Sequence, residues 1–250
     1  MNQIGGVKST YGTDYDIFWN PSSGEIRVAS ELAEYSKTEY EVMSKAEFKK
    51  ESYNIVRVKG LQELEQAFSY GLIQAYQSIF AEPPYEEYFS DDRVREMFNA
   101  YFSHDTENQT VILAYKENEV VAFCSAVPFN EKWLDFKVTD ESTQTSHDCH
   151  KYLQTTFELL DKNTMYLDDL GVEKGHRRKG LARQIIEACL SISGSKNIFL
   201  RTSDNNLASQ LLYQKVGFSI IDRLSVLVSQ ERQDGTIRED RRIIMVRQAT

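Results

Sequence analysis

The sharpest chemical signature in the sequence lies between Tyr166 and Arg183. A strand-like run, Tyr166-Leu-Asp-Asp-Leu-Gly-Val172, gives way to Glu-Lys-Gly-His-Arg177-Arg-Lys-Gly180-Leu-Ala182, and an amphipathic helix pattern follows. At a helix start the first four backbone N–H groups lack intrahelical acceptors, and the helix dipole adds partial positive charge, so an anion is stabilised there. Gly180 and the small Ala182 let that backbone approach a phosphate without a Cβ clash. Lys174, His176, Arg177, Arg178, Lys179 and Arg183 add positive charge. Taken alone, the basic run reads better as a solvated basic turn or a small nucleic-acid patch than as a phosphate site. The strand–loop–helix context favours a phosphate cradle, and the interleaved aromatics that stack bases are missing. The loop lacks the terminal Gly-Lys-Ser/Thr of a Walker loop and is not a G-x-G-x-x-G dinucleotide fingerprint.

A second pattern follows the first after a short strand-like run, Ile198 to Thr202. It is Asn206-Leu-Ala-Ser209-Gln-Leu-Leu-Tyr213-Gln-Lys-Val-Gly217-Phe218. By spacing alone, Tyr213 and Phe218 read as core aromatics. Together the two segments resemble the GNAT N-acetyltransferase superfamily. Arg177, Gly180 and Ala182 match its acetyl-CoA-binding pattern R/Q-x-x-G-x-G/A, with Val172 at the strand end before it. The second segment is similar to N-x-x-A/S-x-x-x-Y-x-K-x-G-F, with Ser209 at the small position. Arg178 stands where glycine is common, and Lys174 where proline is common. The strong resemblance spans Thr164 to about Ile221, and the order of elements extends it weakly from Tyr53 to Arg247. Residues 1–52 fall outside it.

The resemblance implies acyl transfer from acetyl-CoA to an amine, with both substrates bound together and no metal. It places the cofactor against Leu170, Val172, Arg177, Arg178, Lys179, Gly180, Leu181, Ala182, Arg183, Asn206, Ser209 and Tyr213. The strand ending at Val172 is expected to splay from its neighbour, leaving backbone groups near Leu170 and Val172 for the pantetheine arm and the developing oxyanion. An ammonium acceptor must lose a proton before it attacks, by a base or a water relay. In the family a side-chain base often lies four or six residues before the valine, here Asp168 and Tyr166. Asp168 is the candidate base and Glu173 a weaker one; an Asp168–Asp169 pair held only by solvent and hydrogen bonds fits as well. Tyr213 is the candidate acid for the departing thiolate. The acceptor is a small-molecule or peptide amine of unknown identity. A different class of protein, a non-catalytic sensor or interaction module that binds acyl-CoA, shares the same cradle.

These groups need elements to hold them. Tyr53 to Lys59 alternates as a strand. Leu61, Leu64, Phe68, Leu72, Ala75 and Ile79 mark one amphipathic helix, and Ser90 caps another carrying Val94, Met97, Phe98 and Tyr101. Thr110 to Tyr115 and Val120 to Val127 form a hairpin about Lys116-Glu117-Asn118-Glu119. Phe129 to Lys162 is poorly patterned, with a helix near Tyr152 to Leu160, and is a candidate acceptor-side lid. Thr164 to Val172, Gly180 to Ile192, Ile198 to Thr202 and Leu207 to Lys215 alternate strand and helix. Two terminal strands, Ser219 to Ser229 and Arg241 to Arg247, flank the turn signal Asp234-Gly235. The fold class expected is α/β, a mixed and largely antiparallel sheet flanked by helices, over residues 53–250. Residues 1–52 read as an extension: a hairpin of Tyr15 to Trp19 with Glu25 to Ala29 about Asn20-Pro21-Ser22-Ser23-Gly24, then a polar helix from Thr38 to Glu51. Its aromatics suit packing on the sheet or contact with a partner, a second copy in a homodimer included.

Composition bounds the rest. The chain has 250 residues, 41% hydrophobic and 27% charged, with 14 Tyr and 13 Phe, which excludes a disordered or collagen-like chain. Twenty-nine Lys+Arg against 38 Asp+Glu give a net charge of −9, so nucleic acid and anionic membranes are not expected partners. No apolar run is long enough to span a bilayer, and the N-terminus lacks a signal-peptide pattern. Cys124, Cys149 and Cys189 lack metal spacing and read as free thiols, so a cytoplasmic location is expected. His147-Asp148-Cys149-His150 invites a metal, but four adjacent side chains rarely converge on one ion, and a polar loop is the expected form.

Overall fold

The computed structural model describes residues 2–8, 14–20, 25–30, 52–102, 109–130, 132–156, 164–193 and 197–248. The chain folds as two compact units, Met1–Lys50 and Glu51–Thr250.

In the first unit, β1 (Asn2–Lys8), β2 (Asp14–Asn20) and β3 (Glu25–Ser30) form an antiparallel sheet in that order. The β2–β3 pairing, Tyr15 opposite Ser30 through Asn20 opposite Glu25, is the expected hairpin. β1 is an addition to the expected elements: Gly5-Gly6 argues against a strand, and the register slips between Gln3 and Gly5. The helix expected from Thr38 to Glu51 lies outside the described residues.

The second unit is a nine-stranded sheet in the order β4-β5-β6-β9-β10-β12-β11-β7-β8. Its strands are β4 (Asn54–Val58), β5 (Thr110–Lys116), β6 (Glu119–Pro128), β7 (Lys137–Asp140), β8 (Thr145–Asp148), β9 (Met165–Val172), β10 (Ile198–Ser203), β11 (Ser219–Glu231) and β12 (Ile237–Arg247). Only β9 and β10 pair in parallel; the other seven pairings run antiparallel. A parallel pair needs a crossover, and helix α5 (Leu181–Ser193) supplies it. The remaining helices are α1 (Leu61–Ser69), α2 (Leu72–Phe80), α3 (Asp91–Ala100), α4 (Cys149–Thr156) and α6 (Leu207–Lys215). The fold is the expected mixed, mostly antiparallel sheet between helices.

Each face of the sheet has its own core. One gathers Leu64, Phe68, Leu72, Tyr76, Val94, Phe98, Phe123, Tyr166 and Phe199 beneath α1 to α3. The other gathers Ile112, Val121, Cys124, Leu167, Leu181, Ile185, Leu200, Tyr213 and Met245 beneath α5 and α6. Strands buried on both faces read as continuous apolar runs, as Val120 to Val127 does. All three cysteines are free and buried.

Three expectations are corrected. The single helix from Leu61 to Ile79 is two, broken at Tyr70-Gly71, where Gly71 takes φ 87°. The apolar spacing runs through the break because both helices bury the same side. The polar loop expected at His147–His150 is β8 running into the first turn of α4. His147 stacks on Tyr152 at 4.4 Å, and His150 packs against Phe129 at 5.3 Å. The expected helix at Tyr152 to Leu160 begins earlier, at Cys149. Ser90 does cap α3, its hydroxyl accepting from the Arg93 amide at 3.3 Å.

Candidate active site

Two strands part at the centre of the sheet. β9 and β10 pair through Met165, Tyr166 and Leu167, opposite Ile198, Phe199 and Leu200, and the pairing stops there. β10 stays bonded to β12 as far as Ser203, while β9 continues beside β6 to Val172. A register shift opposite Ser125 and Ala126 leaves Asp168 as an extra residue on β9, a bulge of the kind that bends a strand. From Asp168 to Val172 the β9 edge facing β10 therefore has no strand partner among the described residues. The divergence expected near Leu170 and Val172 is present, but one backbone group there is taken: the Val172 carbonyl accepts from Arg177 Nε at 2.8 Å. Gly171 lets β9 lie close over its neighbour, since a Cβ there would sit 2.5 Å from Phe123 Cζ.

Beyond β9 a short 3-10 turn, Lys174–His176, leads into the basic loop. Arg178 takes φ 62° and Gly180 φ 77°. Both lie in the left-handed region that favours glycine, which gives a backbone reason why position 178 commonly carries one. The Gln184 amide donates to the Gly180 carbonyl at 3.1 Å, so the amides of Leu181, Ala182 and Arg183 begin α5 without intrahelical acceptors. The loop's side chains differ from one another. Arg177 braces the site, holding the Val172 carbonyl and pairing with Glu82 at 2.5 Å. Arg183 pairs with Glu187 at 2.7 Å. Arg178 and Lys179 are exposed.

In the second segment, Asn206 is the α6 N-cap. Its side-chain oxygen accepts from the Ser209 amide at 3.1 Å, and its Nδ2 donates to Tyr85 Oη at 3.2 Å. Tyr213 is buried edge-on to Phe218 at 5.8 Å. Burial, reinforced by Tyr85, raises its pKa well above the ordinary phenol value. Among the described residues its hydroxyl has no hydrogen-bond partner.

On the other face, Asp168 joins a chain of donors. The Asp169 amide donates to Ser125 Oγ at 3.1 Å, Ser125 Oγ to Tyr101 Oη at 3.1 Å, and Tyr101 Oη to Asp168 Oδ2 at 2.8 Å. Tyr76 Oη donates to Asp169 Oδ2 at 3.3 Å. Burial, and then the neighbouring Asp168, push the Asp169 carboxyl well above the usual range. Tyr101 stacks on Trp133 at 5.6 Å, and Phe136 lies 6.0 Å from the Tyr166 ring. Arg201 sits over Phe136 at 4.5 Å. Burial opposes its charge, but Tyr166, Asp168, Asp169 and Cys149 around it outweigh that and raise its pKa.

The structure thus brings Asp168 to the point where the strands part and sets the α5 amides beyond the end of β9. Glu173 lies past it, its amide bonded to the Val121 carbonyl at 2.9 Å. Sequence reasoning missed Tyr101, Ser125, Trp133, Phe136 and Arg201 as site residues. Arg201 carried a signal: it is the one charge in the run Ile198-Phe-Leu-Arg-Thr, and a charge among apolar strand residues is rarely there without cause.

Diverging strands capped by a glycine-bearing helix start define the class of protein. Residues 72–218 match the acetyltransferase (GNAT) family. The chain belongs to that family, and with it to the acetyl-CoA-dependent acyltransferases. Its fold is shared with a ribosomal-protein-alanine N-acetyltransferase from Brucella melitensis, at 13% identity and TM-score 0.52, covering 78% of this chain and 99% of that one. A protein named a probable acetyltransferase from Staphylococcus epidermidis aligns at 12% identity and TM-score 0.51, covering 80% of this chain and 100% of that one. A protein from Pyrococcus horikoshii aligns at 16% identity and TM-score 0.50, over 80% and 99%. No curated protein matches the sequence. Among the described residues, no group of three His, Cys, Asp or Glu is placed to hold a metal, and no helix is long and apolar enough to cross a membrane.

Proposed function

We propose that residues 53–250 transfer the acetyl group of acetyl-CoA directly to an amine, of a small molecule or a peptide, held in the same complex in the cytoplasm. The observation that carries this reading is the parting of β9 from β10 beside the α5 N-terminus. It supplies a strand edge without a strand partner among the described residues next to amides without intrahelical acceptors, the two things a diphosphate on an amide-bearing arm requires.

Acetyl-CoA supplies an activated thioester. The amine lone pair forms the new C–N bond, the C–S bond breaks, and its electron pair leaves on sulfur; the products are an N-acetyl amine and the free thiol. The protein moves two protons. Asp168, at the bulge and held by Tyr101, takes one from the amine. Tyr213 keeps its proton to high pH and donates it towards the departing sulfur. The free edge near Leu170 and Val172 binds the arm, and the amides from Arg178 to Arg183, with the exposed Arg178 and Lys179, bind the diphosphate. Arg177 acts as a brace that fixes the loop to Val172 and Glu82, and Asn206 and Ser209 fix the start of α6 beside the cofactor.

Calorimetry with acetyl-CoA, followed by thiol release across a panel of amines, tests the proposal. Heat of binding and amine-dependent thiol release are expected. Binding without thiol release from any amine would overturn transfer and favour a sensor that only binds.

A further inference from the structure

The face of the sheet opposite α5 holds a cation, Arg201, without a direct partner among the described residues. It makes no hydrogen bond and no ion pair with them; its guanidinium lies over the Phe136 ring at 4.5 Å. Its position follows from the register. Phe199 and Tyr166 are partners on β10 and β9, and both point into the core beneath α1 to α3. Side chains two residues on return to the same face. Arg201, over Phe136, and Asp168, bonded to Tyr101, both face that core, one residue beyond Leu200 and Leu167, where the strands part.

The surroundings have donors to spare. The indole N–H of Trp133 and the hydroxyl of Tyr166 are buried with no hydrogen-bond partner among the described residues. The nearby carboxyl groups already accept from other donors, Asp168 from Tyr101 and Asp169 from Tyr76. Trp133 stacked on Tyr101, and Phe136 beside Tyr166, set aromatic rings around these groups.

We propose that this pocket takes an acceptor carrying a carboxylate beside its amine, a free α-amino acid, with Arg201 holding the carboxylate and Asp168 the ammonium. The proposal rests on the acetyltransferase reading and names its substrate class. Three arguments favour it. A guanidinium suits a carboxylate, which takes two parallel N–H bonds from it. A simple amine or polyamine would enter beside a like charge and gain nothing from Arg201. Asp168 and Arg201 lie just past the last paired residues, Leu167 and Leu200, so the two charges come from strands that are close at that point, which suits opposite charges carried on one carbon of a small molecule. The aromatic rings select amino acids with apolar side chains. Acetylation removes the ammonium charge and so weakens the hold of Asp168 on the product.

The test compares each of the twenty L-amino acids with its carboxamide at fixed acetyl-CoA, using the full-length protein and thiol release. At least one acid is expected to exceed its amide by about tenfold or more in kcat/KM, the loss typical of a missing charge-assisted bond. Arg201→Gln should remove that preference and leave the calorimetric affinity for acetyl-CoA within about twofold. Amides equal to or better than their acids throughout, in an enzyme that still turns over, would overturn the amino-acid pocket and leave acetyl transfer standing. Thiol release from no amine would overturn transfer itself. Calorimetry of acids against amides, with CoA present, then still decides the pocket: acids bound at least tenfold tighter uphold it, and equal or no binding of acids sinks it. The acid–amide comparison on the unmodified protein stands even if Arg201→Gln fails to fold.

Discussion

The α5 end of β9 and the pocket on the opposite face are built on different principles. In the proposed reading the α5 end binds chiefly through backbone amides and carbonyls, with Arg178 and Lys179 added, and other residues shape or brace that backbone: Gly171 lets β9 lie close, Gly180 turns the chain, and Arg177 ties the loop to Val172. In the pocket every group is a side chain. They come from the end of α3, from β6, β9 and β10, and from the segment before β7. A backbone-built site is local in the chain and leaves a spacing motif; a side-chain-built site is assembled from distant positions and leaves none. The first kind suits a cofactor shared by a family, and the second an acceptor peculiar to one member.

The largest expected effect tests the one side chain given a chemical task near the cofactor. Tyr213→Phe removes the proposed proton donor and keeps the ring against Phe218. Turnover should fall by about 100-fold, near 2.7 kcal/mol, while acetyl-CoA affinity stays within about twofold. Unchanged turnover would leave the α5 end purely a binding surface and sharpen the contrast with the pocket.

Next is the strand beneath that surface. Gly171→Ala forces a Cβ against the Phe123 ring, itself stacked on Tyr76 at 5.2 Å. Overpacking of this kind costs about 1–3 kcal/mol, visible as a lowered melting temperature. Gly175→Ala is the control, because a Cβ there meets nothing within 4 Å. Equal stability in the two variants would show that β9 is not held as closely as its glycine implies.

The pocket is probed by Tyr101→Phe, which deprives Asp168 of its 2.8 Å donor and Ser125 of its acceptor. The expected loss is about 1.5 kcal/mol, roughly tenfold in kcat/KM for the acceptor, with acetyl-CoA binding unaffected. Equal losses towards both substrates would mean that the two regions are coupled rather than separate.

That division also explains what the sequence disclosed. Residues 164–218 were legible because a strand end, a glycine and a helix cap lie within a few residues of one another. Their side-chain detail was not: Arg177 resembles a phosphate ligand by position, and only the fold brings Glu82 and Val172 to it. The break at Gly71 was hidden because apolar periodicity does not report a left-handed glycine. β7 and β8 were hidden because four-residue strands such as Thr145–Asp148, with exposed polar residues, carry no alternation. Arg201 and Asp168 are 33 positions apart in the sequence, and only the parallel register of β9 and β10 makes them neighbours.

The smallest expected effect concerns Asp169, which lies between the two regions, bonded by its amide to Ser125 and by its carboxyl to Tyr76. Burial, with Asp168 adding to it, raises the Asp169 pKa in the folded protein. The unfolded chain releases that proton near pH 3.9, and the folded protein holds it to higher pH. Folding therefore binds a proton in the window between the two pKa values. The stability tied to the protonated carboxyl is whole below the unfolded pKa and is lost as pH rises through the folded one. Asp169→Asn keeps the shape and an acceptor for Tyr76 without the titration. Its melting temperature should match the parent near pH 4 and exceed it by a few degrees at pH 8. A variant less stable than the parent at pH 8 would mean that the ionised carboxylate is favoured in the fold, and that charge, not burial, governs the boundary between cofactor and pocket.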